Sequence, residues 1–202
     1  MLKIILVFLL AYLLGSIPSG VWIGKLFYKK DLRDYGSHSS GATNAFRVLG
    51  PKAGVVVVLM DILKGTAAAL LPGLFGLEIS MVAVGLFAII GHVYPIFAGF
   101  KGGKAVATSA GVALAYSPIF LGAALILFVT LLYLTSTVSL SSVLSFLVAS
   151  VSVIFWTDDW YFRIFVWAVT ALVVFRHTAN IKRIMNGTES KIPFGLRKNK
   201  KN

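Results

Sequence analysis

The chain has 202 residues, of which 58% are hydrophobic and 13% are charged, and its mean hydropathy is +0.89. Because ordinary soluble domains carry about 25% charged residues, this composition excludes a soluble globular domain, a disordered chain and a coiled coil. Cysteine is absent, which excludes disulfide scaffolds and thiolate sites, and the net charge of +12 serves either to orient the chain in a bilayer or to bind anions.

Apolar stretches follow one another along almost the whole chain. A transmembrane helix needs about 20 mostly apolar residues to cross roughly 30 Å of hydrocarbon. The uncharged stretch 105–157 is long enough for two or three crossings, with breaks at Ser117-Pro118 and in the hydroxyl-rich run Thr135–Ser142. The predicted spans are 4–23, 53–75, 79–100, 105–116, 118–135, 142–156 and 160–175.

The positive charges predict the orientation of these spans. Lys and Arg concentrate in the segments 25–52 and 101–104 and from residue 176 onward, and such segments favour the cytoplasmic side. The stretch 105–157 must then cross an odd number of times. We therefore expect an all-α polytopic membrane helix bundle with seven transmembrane helices, the N-terminus outside and the C-terminus cytoplasmic. A re-entrant segment in place of two spans would leave five.

The domain organisation is expected to be simple. No repeat of 20–50 residues is evident, so residues 1–190 are predicted to form a single membrane domain. The remaining segment, 191–202, is a basic cytoplasmic tail, for which a contact with anionic lipid or a topogenic role is the simplest interpretation.

A polar loop at 35–49 reads YGSHSSGATNAFRVL. Small residues let backbone N–H groups approach an anion, hydroxyls donate hydrogen bonds, and an arginine offers two parallel donors. The candidates for such contacts are Ser37, Thr43, Asn44 and Arg47. A flexible polar connection between two spans is an equally favoured interpretation of this composition, and the residue order of a Walker loop is missing.

A second loop, at 100–108, reads FKGGKAVAT. Lys101, Gly102, Gly103 and Lys104 precede a hydrophobic helix, where free amides and the positive end of the helix dipole favour an anion. A topogenic anchor would need lysines but not a glycine pair, so phosphate binding is favoured.

Other polar residues lie at the ends of spans or inside them. His177 and Asn180 share a helical face and could orient a hydroxyl or accept a proton, or they could be solvated residues at a helix end. Asp61 and Lys64 also share a face, and charged residues inside spans usually pair; with His92 they are predicted to give structural support. Hydroxyls near the sixth span bond backbone carbonyls by default, but Ser142 is kept as a substrate-binding candidate.

Two classes of partner are disfavoured. The histidines and carboxylates show no metal-ligand spacing, so we expect no metal and no cofactor. The basic residues flank predicted spans without an exposed aromatic-basic module, so we expect no nucleic acid.

Five segments together resemble a known family: GSIPSG (15–20), GSHSSGATNAFRVLG (36–50), DILKG (61–65), GHVYPIFAGFKGGKAVAT (91–108) and HTANIKRIMNGTE (177–189). They are similar to the bacterial acyl-phosphate:glycerol-3-phosphate acyltransferases. The resemblance implies seven spans with the motif loops on the cytoplasmic side. It also implies transfer of a fatty acyl group from acyl phosphate to the 1-hydroxyl of glycerol 3-phosphate, an early step of phospholipid synthesis that releases lysophosphatidic acid and phosphate. The expected setting is the cell inner membrane, with membrane lipid around a monomer.

The resemblance also assigns residues. The essential serine and arginine of the family's first motif fall on Ser37 and Arg47, its glycine-rich motif on 102–104, and its third motif on His177, Asn180 and Glu189. Two departures stand out. His38-Ser39-Ser40 replaces the usual Gly-Asn-Pro, and Ala105 replaces a glycine, which predicts helical geometry rather than a positive φ after Lys104.

A mechanism follows as a hypothesis. Acyl phosphate is already activated, so the glycerol hydroxyl can attack it directly without a covalent acyl-enzyme. Lys104, Arg47 and the Gly102–Gly103 amides would hold glycerol 3-phosphate, while His177 or the substrate's own phosphate takes the proton. The groups expected to hold the acyl phosphate are Ser37, Thr43, Asn44 and Lys101. The alternative is a phosphate or organophosphate transporter with Asp61 and Lys64 along its pathway.

Overall fold

The computed structural model describes residues 1–197, and within that range the chain is all α-helical apart from loops and two short 3-10 turns. The predicted all-α class is confirmed. Residues 198–202, the end of the predicted basic tail, lie outside the described range.

Ten α-helices follow one another along the described chain. Three of them begin with proline or directly after it, where a missing N–H and a fixed φ cost nothing. The helices are α1 (Leu2–Gly15), α2 (Ser19–Tyr28), α3 (Ala42–Leu49), α4 (Pro51–Leu74), α5 (Met81–Val93), α6 (Val106–Tyr116), α7 (Pro118–Thr135), α8 (Val138–Trp156), α9 (Trp160–Arg176) and α10 (Thr178–Met185). The 3-10 turns are Leu32–Asp34 and Ile96–Ala98.

Within residues 1–197, four segments are long and apolar enough to cross a membrane: α4, α7, α8 and α5 extended to Ala98. The number rises to six if α1 with α2 and α9 with α10, which bend by 43° and 56°, each form one span. The predicted breaks coincide with helix ends, because α7 starts at Pro118 and α8 at Val138. Helix α6 has 11 residues, so helix length alone supports up to six spans rather than the predicted seven.

Residues Met1–Ser117 form one compact unit. Its helices approach one another through glycines: a Cβ at Gly15 would overlap the backbone of Ala88, and one at Gly65 would overlap the carbonyl of Thr108. Because small residues let two backbones touch, α1 packs closely on α5 and α4 on α6. This packing positions the two candidate loops of the unit.

A second compact unit starts at Pro118. Aromatic rings fill its interior, with Phe120 in edge-to-face contact with Trp156 and Phe162 at centroid separations of 5.4 and 5.2 Å. The first part of the predicted tail is hydrogen-bonded to the end of α7, since Ile192 N–H donates to the Ser136 carbonyl at 2.8 Å.

Candidate active site

The loop at 35–41, here named the serine loop, is organised by the side-chain amide of Asn44 at the start of α3. The Asn44 Oδ1 accepts a hydrogen bond from Ser37 N–H at 3.0 Å. Its Nδ2 donates to the carbonyls of Leu32, Tyr35 and Ser39 at 2.9, 3.0 and 2.9 Å. The loop lacks regular structure that would pair these backbone groups, and the asparagine supplies their partners instead.

The predicted residues of the first motif therefore have different environments. Asn44 is 1% exposed and its amide is occupied by the loop, so the structure gives it a positioning role rather than the predicted contact with substrate. Thr43 and Arg47 are exposed on α3, and Ser37 is half-buried. His38, which stands where the family has glycine, takes a left-handed conformation with φ 55°.

Arg33 is a residue of this region that sequence reasoning counted only as a topogenic charge. Its Nη1 donates to the Ala98 carbonyl at 2.9 Å, just before the glycine-rich loop, and its own carbonyl accepts from His38 Nδ1 at 2.9 Å. Asp31 holds the guanidinium through two hydrogen bonds, at 2.9 and 2.7 Å. These bonds from Arg33 keep the pKa of the Asp31 carboxyl well below its usual range. Arg33 thus links the two loops. In the sequence, the acidic Asp31 two residues before Arg33 was the sign that this arginine could be held in an ion pair.

The residues 101–105, here named the glycine loop, lie directly before α6, as predicted. Gly103 N–H donates to the His92 carbonyl at 3.1 Å. A Cβ at Gly102 would overlap that same carbonyl, and a Cβ at Gly103 would overlap the His92 ring at Nε2. Both glycines are therefore required by close packing. Lys101 is exposed and Lys104 is half-buried.

Ala105 has φ 62°, so the expectation of helical geometry at this position is wrong. The residue is the N-cap of α6, and its carbonyl accepts from Ser109 N–H at 2.8 Å while the chain turns out of the glycine loop. The turn requires a left-handed backbone whether or not glycine is present, and an L-residue there costs roughly 1–2 kcal/mol.

A buried charged cluster lies behind the glycine loop. Asp61 Oδ1 accepts from Ser19 Oγ at 2.9 Å and pairs with Lys64 Nζ at 2.7 Å. Lys64 Nζ also donates to the Ile17 carbonyl at 2.9 Å, and His92 Nδ1 lies 3.6 Å from the same carboxylate oxygen. Asp61, Lys64 and His92 are 2%, 6% and 7% exposed, so all three side chains lie in the interior of the first unit.

In the second unit, the Glu189 carboxylate accepts hydrogen bonds from side chains of two helices, α8 and α10. Its Oε1 accepts from Asn180 Nδ2 at 2.6 Å and Ser139 Oγ at 2.7 Å, and its Oε2 accepts from Arg183 Nε at 2.6 Å. Burial opposes ionisation, but the hydrogen bonds from these three residues outweigh it and lower the pKa of Glu189. Arg183 was not identified from the sequence as a partner of Glu189. An acidic residue six positions later in an otherwise basic segment was the sign of such an ion pair.

His177 lies between α9 and α10 and is 3% exposed. Its Nδ1 lies 2.8 Å from the Val173 carbonyl, and because a carbonyl only accepts, Nδ1 carries the proton and the lone pair of the neutral ring is on Nε2. Ser142 is buried and donates to the Val138 carbonyl at 2.9 Å, the default role for a hydroxyl in a span.

Residues 5–187 match the family model described as glycerol-3-phosphate acyltransferase. The chain belongs to this family. It is 54% identical to the glycerol-3-phosphate acyltransferase of Enterococcus faecalis, over 98% of this chain and 96% of the relative. It is 56% identical to that of Listeria monocytogenes, over 96% of this chain and 98% of the relative.

Solved structures of the family resemble this one closely. The crystal structure of PlsY, an integral membrane glycerol 3-phosphate acyltransferase, in its glycerol 3-phosphate form has a TM-score of 0.87 and 36% identity, covering 93% of this chain and 94% of that chain. The lysophosphatidic acid form has a TM-score of 0.84 and 35% identity. The family and the enzyme class that the sequence motifs predict, an acyltransferase, are confirmed.

Proposed function

We propose that the protein transfers a fatty acyl group from acyl phosphate to the 1-hydroxyl of glycerol 3-phosphate and releases lysophosphatidic acid and inorganic phosphate. Family membership supports glycerol 3-phosphate as the acyl acceptor. The related enzymes are named for glycerol 3-phosphate, and PlsY has a glycerol 3-phosphate form. The observation that carries the proposal is the glycine loop with Lys104, packed at the start of α6 where an anion is favoured.

The phosphate of glycerol 3-phosphate is held by Lys104, Arg47 and the N-terminal amides of α6. Lysine and arginine form charge-assisted hydrogen bonds with phosphate, and arginine can bind two oxygens at once. Gly103 N–H already donates to the His92 carbonyl, so Gly103 contributes close packing rather than the donor expected from its motif. The exposed residues Thr43 and Lys101 and the half-buried Ser37 are the groups proposed to contact the acyl phosphate.

The reaction is a direct displacement. The O1 of glycerol 3-phosphate forms a bond to the acyl carbon while the bond from that carbon to the phosphate oxygen breaks, and the electron pair leaves with inorganic phosphate. The hydroxyl proton goes to His177 Nε2 or to a substrate phosphate oxygen. Within the second unit, His177 Nδ1 donates to the Val173 carbonyl and Asn180 Nδ2 donates to Glu189, so both side chains have a fixed orientation.

The membrane arrangement belongs to the same proposal. Seven spans, with α6 as a short one, place the N-terminus outside and both loops of the first unit on the cytoplasmic side of the cell inner membrane. The charge asymmetry supports this orientation, because basic residues concentrate in the loops and after residue 176. The protein acts as a monomer, and its acyl donor is reached from the bilayer.

The test is a donor competition with purified protein in detergent. Acyl phosphate and glycerol 3-phosphate should yield lysophosphatidic acid and inorganic phosphate in equal amounts, with acyl-CoA and acyl-carrier protein present as competing donors. Preference for either thioester would overturn the proposed donor. Flux of glycerol 3-phosphate into proteoliposomes without any acylated product would favour an organophosphate carrier.

A further inference from the structure

His92 contacts the glycine loop through both its backbone and its ring. The His92 carbonyl accepts from Gly103 N–H at 3.1 Å, and the Nε2 edge of the ring lies where a side chain on Gly103 would begin. The position of Gly103 is therefore set by the position of His92. Lys104 follows in the chain, so a shift of the ring moves the proposed phosphate-binding lysine as well.

Asp61 lies beside the Nδ1 edge of the His92 ring. Its Oδ1 lies 3.6 Å from His92 Nδ1 and is itself anchored by Ser19 Oγ at 2.9 Å and Lys64 Nζ at 2.7 Å. An anionic oxygen at this place favours the proton on Nδ1 and turns the Nε2 edge toward the glycine loop. Because Asp61 is only 2% exposed, water does not screen this contact.

We propose that Asp61 and His92 are positioning residues that set the glycine loop for glycerol 3-phosphate. The inference rests on the proposed function of that loop. A displacement of about 1 Å at a binding group can cost up to roughly a hundredfold in rate, so a pair that holds Gly103 in contact controls how well Lys104 meets the phosphate. A merely structural pair would instead support helix packing without affecting one substrate more than the other.

The test variant is His92→Phe, which keeps a ring of similar bulk and removes both nitrogens. We expect the KM for glycerol 3-phosphate to rise roughly tenfold, with the KM for acyl phosphate and the melting temperature unchanged. Leu63→Ala is the matched control on α4, since Leu63 is 63% exposed and one residue from Lys64. If His92→Phe does not fold, Ser19→Ala removes one hydrogen bond to Asp61 and should raise the same KM by a smaller factor.

Hydrogen exchange of amides 101–105 reads out the loop without any turnover. We expect faster exchange in His92→Phe than in wild type and in Leu63→Ala. Unchanged exchange and unchanged KM would overturn the positioning role, and so would equal increases in both KM values. If the wild type did not use acyl phosphate, the proposed donor would be wrong. The hydrogen-exchange result for amides 101–105 would still test the positioning role of Asp61 and His92.

Discussion

The serine loop and the glycine loop are irregular segments of the same compact unit, yet they are held in different ways. The serine loop is held by a residue near in sequence, because Asn44 pairs its backbone groups. The glycine loop is held by a residue outside it, His92 on α5, whose ring lies 3.6 Å from Asp61 on α4. A local motif is thus enough to build the first loop, whereas the second depends on how three helices pack.

The strongest way to separate binding from loop support is Lys104→Ala. Removing a charge that meets a phosphate should reduce kcat/KM by at least about thirtyfold, because truncating one partner of such a pair costs about 2–5 kcal/mol. The melting temperature should stay unchanged, as measured by thermal unfolding in detergent. Near-normal turnover in this variant would remove the central role given to Lys104.

Asn44→Ala should break the serine loop and leave the glycine loop intact. Several backbone groups lose their partner, so the serine loop rearranges, and because a displacement of about 1 Å at a binding group can cost up to roughly a hundredfold in rate, kcat/KM should fall by about tenfold to a hundredfold. Hydrogen exchange should accelerate in 35–41 and not in 101–105. Acceleration in both loops would show that they are not held independently.

Gly103→Ala should have the opposite effect, because it disturbs the glycine loop and leaves the serine loop intact. The added Cβ overlaps the His92 ring, so the glycine loop must shift and the KM for glycerol 3-phosphate should rise by roughly tenfold. Gly73→Ala is the matched control, because nothing lies within 4 Å of a Cβ there and alanine favours the helix. The same change in KM for both variants would contradict the packing role of Gly103.

The smallest expected effect concerns the link between the loops. Asp31 has a lowered pKa in the folded protein, so its pairing with Arg33 stabilises the fold fully above the ordinary carboxyl pKa of about 4 and loses that contribution as the pH falls below it. Melting temperatures at pH 7 and pH 3 should differ less in Asp31→Asn than in wild type. An equal drop in both proteins would show that other carboxylates dominate acid destabilisation.

The sequence predicted the features that depend on local spacing. The Asp61–Lys64 pair follows from a helical repeat, and the helix starting at Pro118 follows from proline chemistry. It did not predict that Arg33 reaches the Ala98 carbonyl, because that contact joins distant parts of the chain. The left-handed Ala105 was also missed, since the turn into α6 is set by packing of the glycine loop rather than by the residue type.

The interior position of Asn44 was missed for another reason. A polar residue in a glycine-rich motif is equally compatible with binding a ligand and with pairing its own loop, and only the direction of the amide decides between them. In the structure that amide points into the serine loop.

Hydrogen exchange with and without glycerol 3-phosphate tests most directly whether both loops serve one substrate. Arg47 follows the serine loop and Lys104 belongs to the glycine loop, so added glycerol 3-phosphate should slow exchange in 35–47 and in 101–105 together, whereas glycerol should slow neither. Protection confined to one loop, or equal protection by glycerol, would contradict a shared phosphate site.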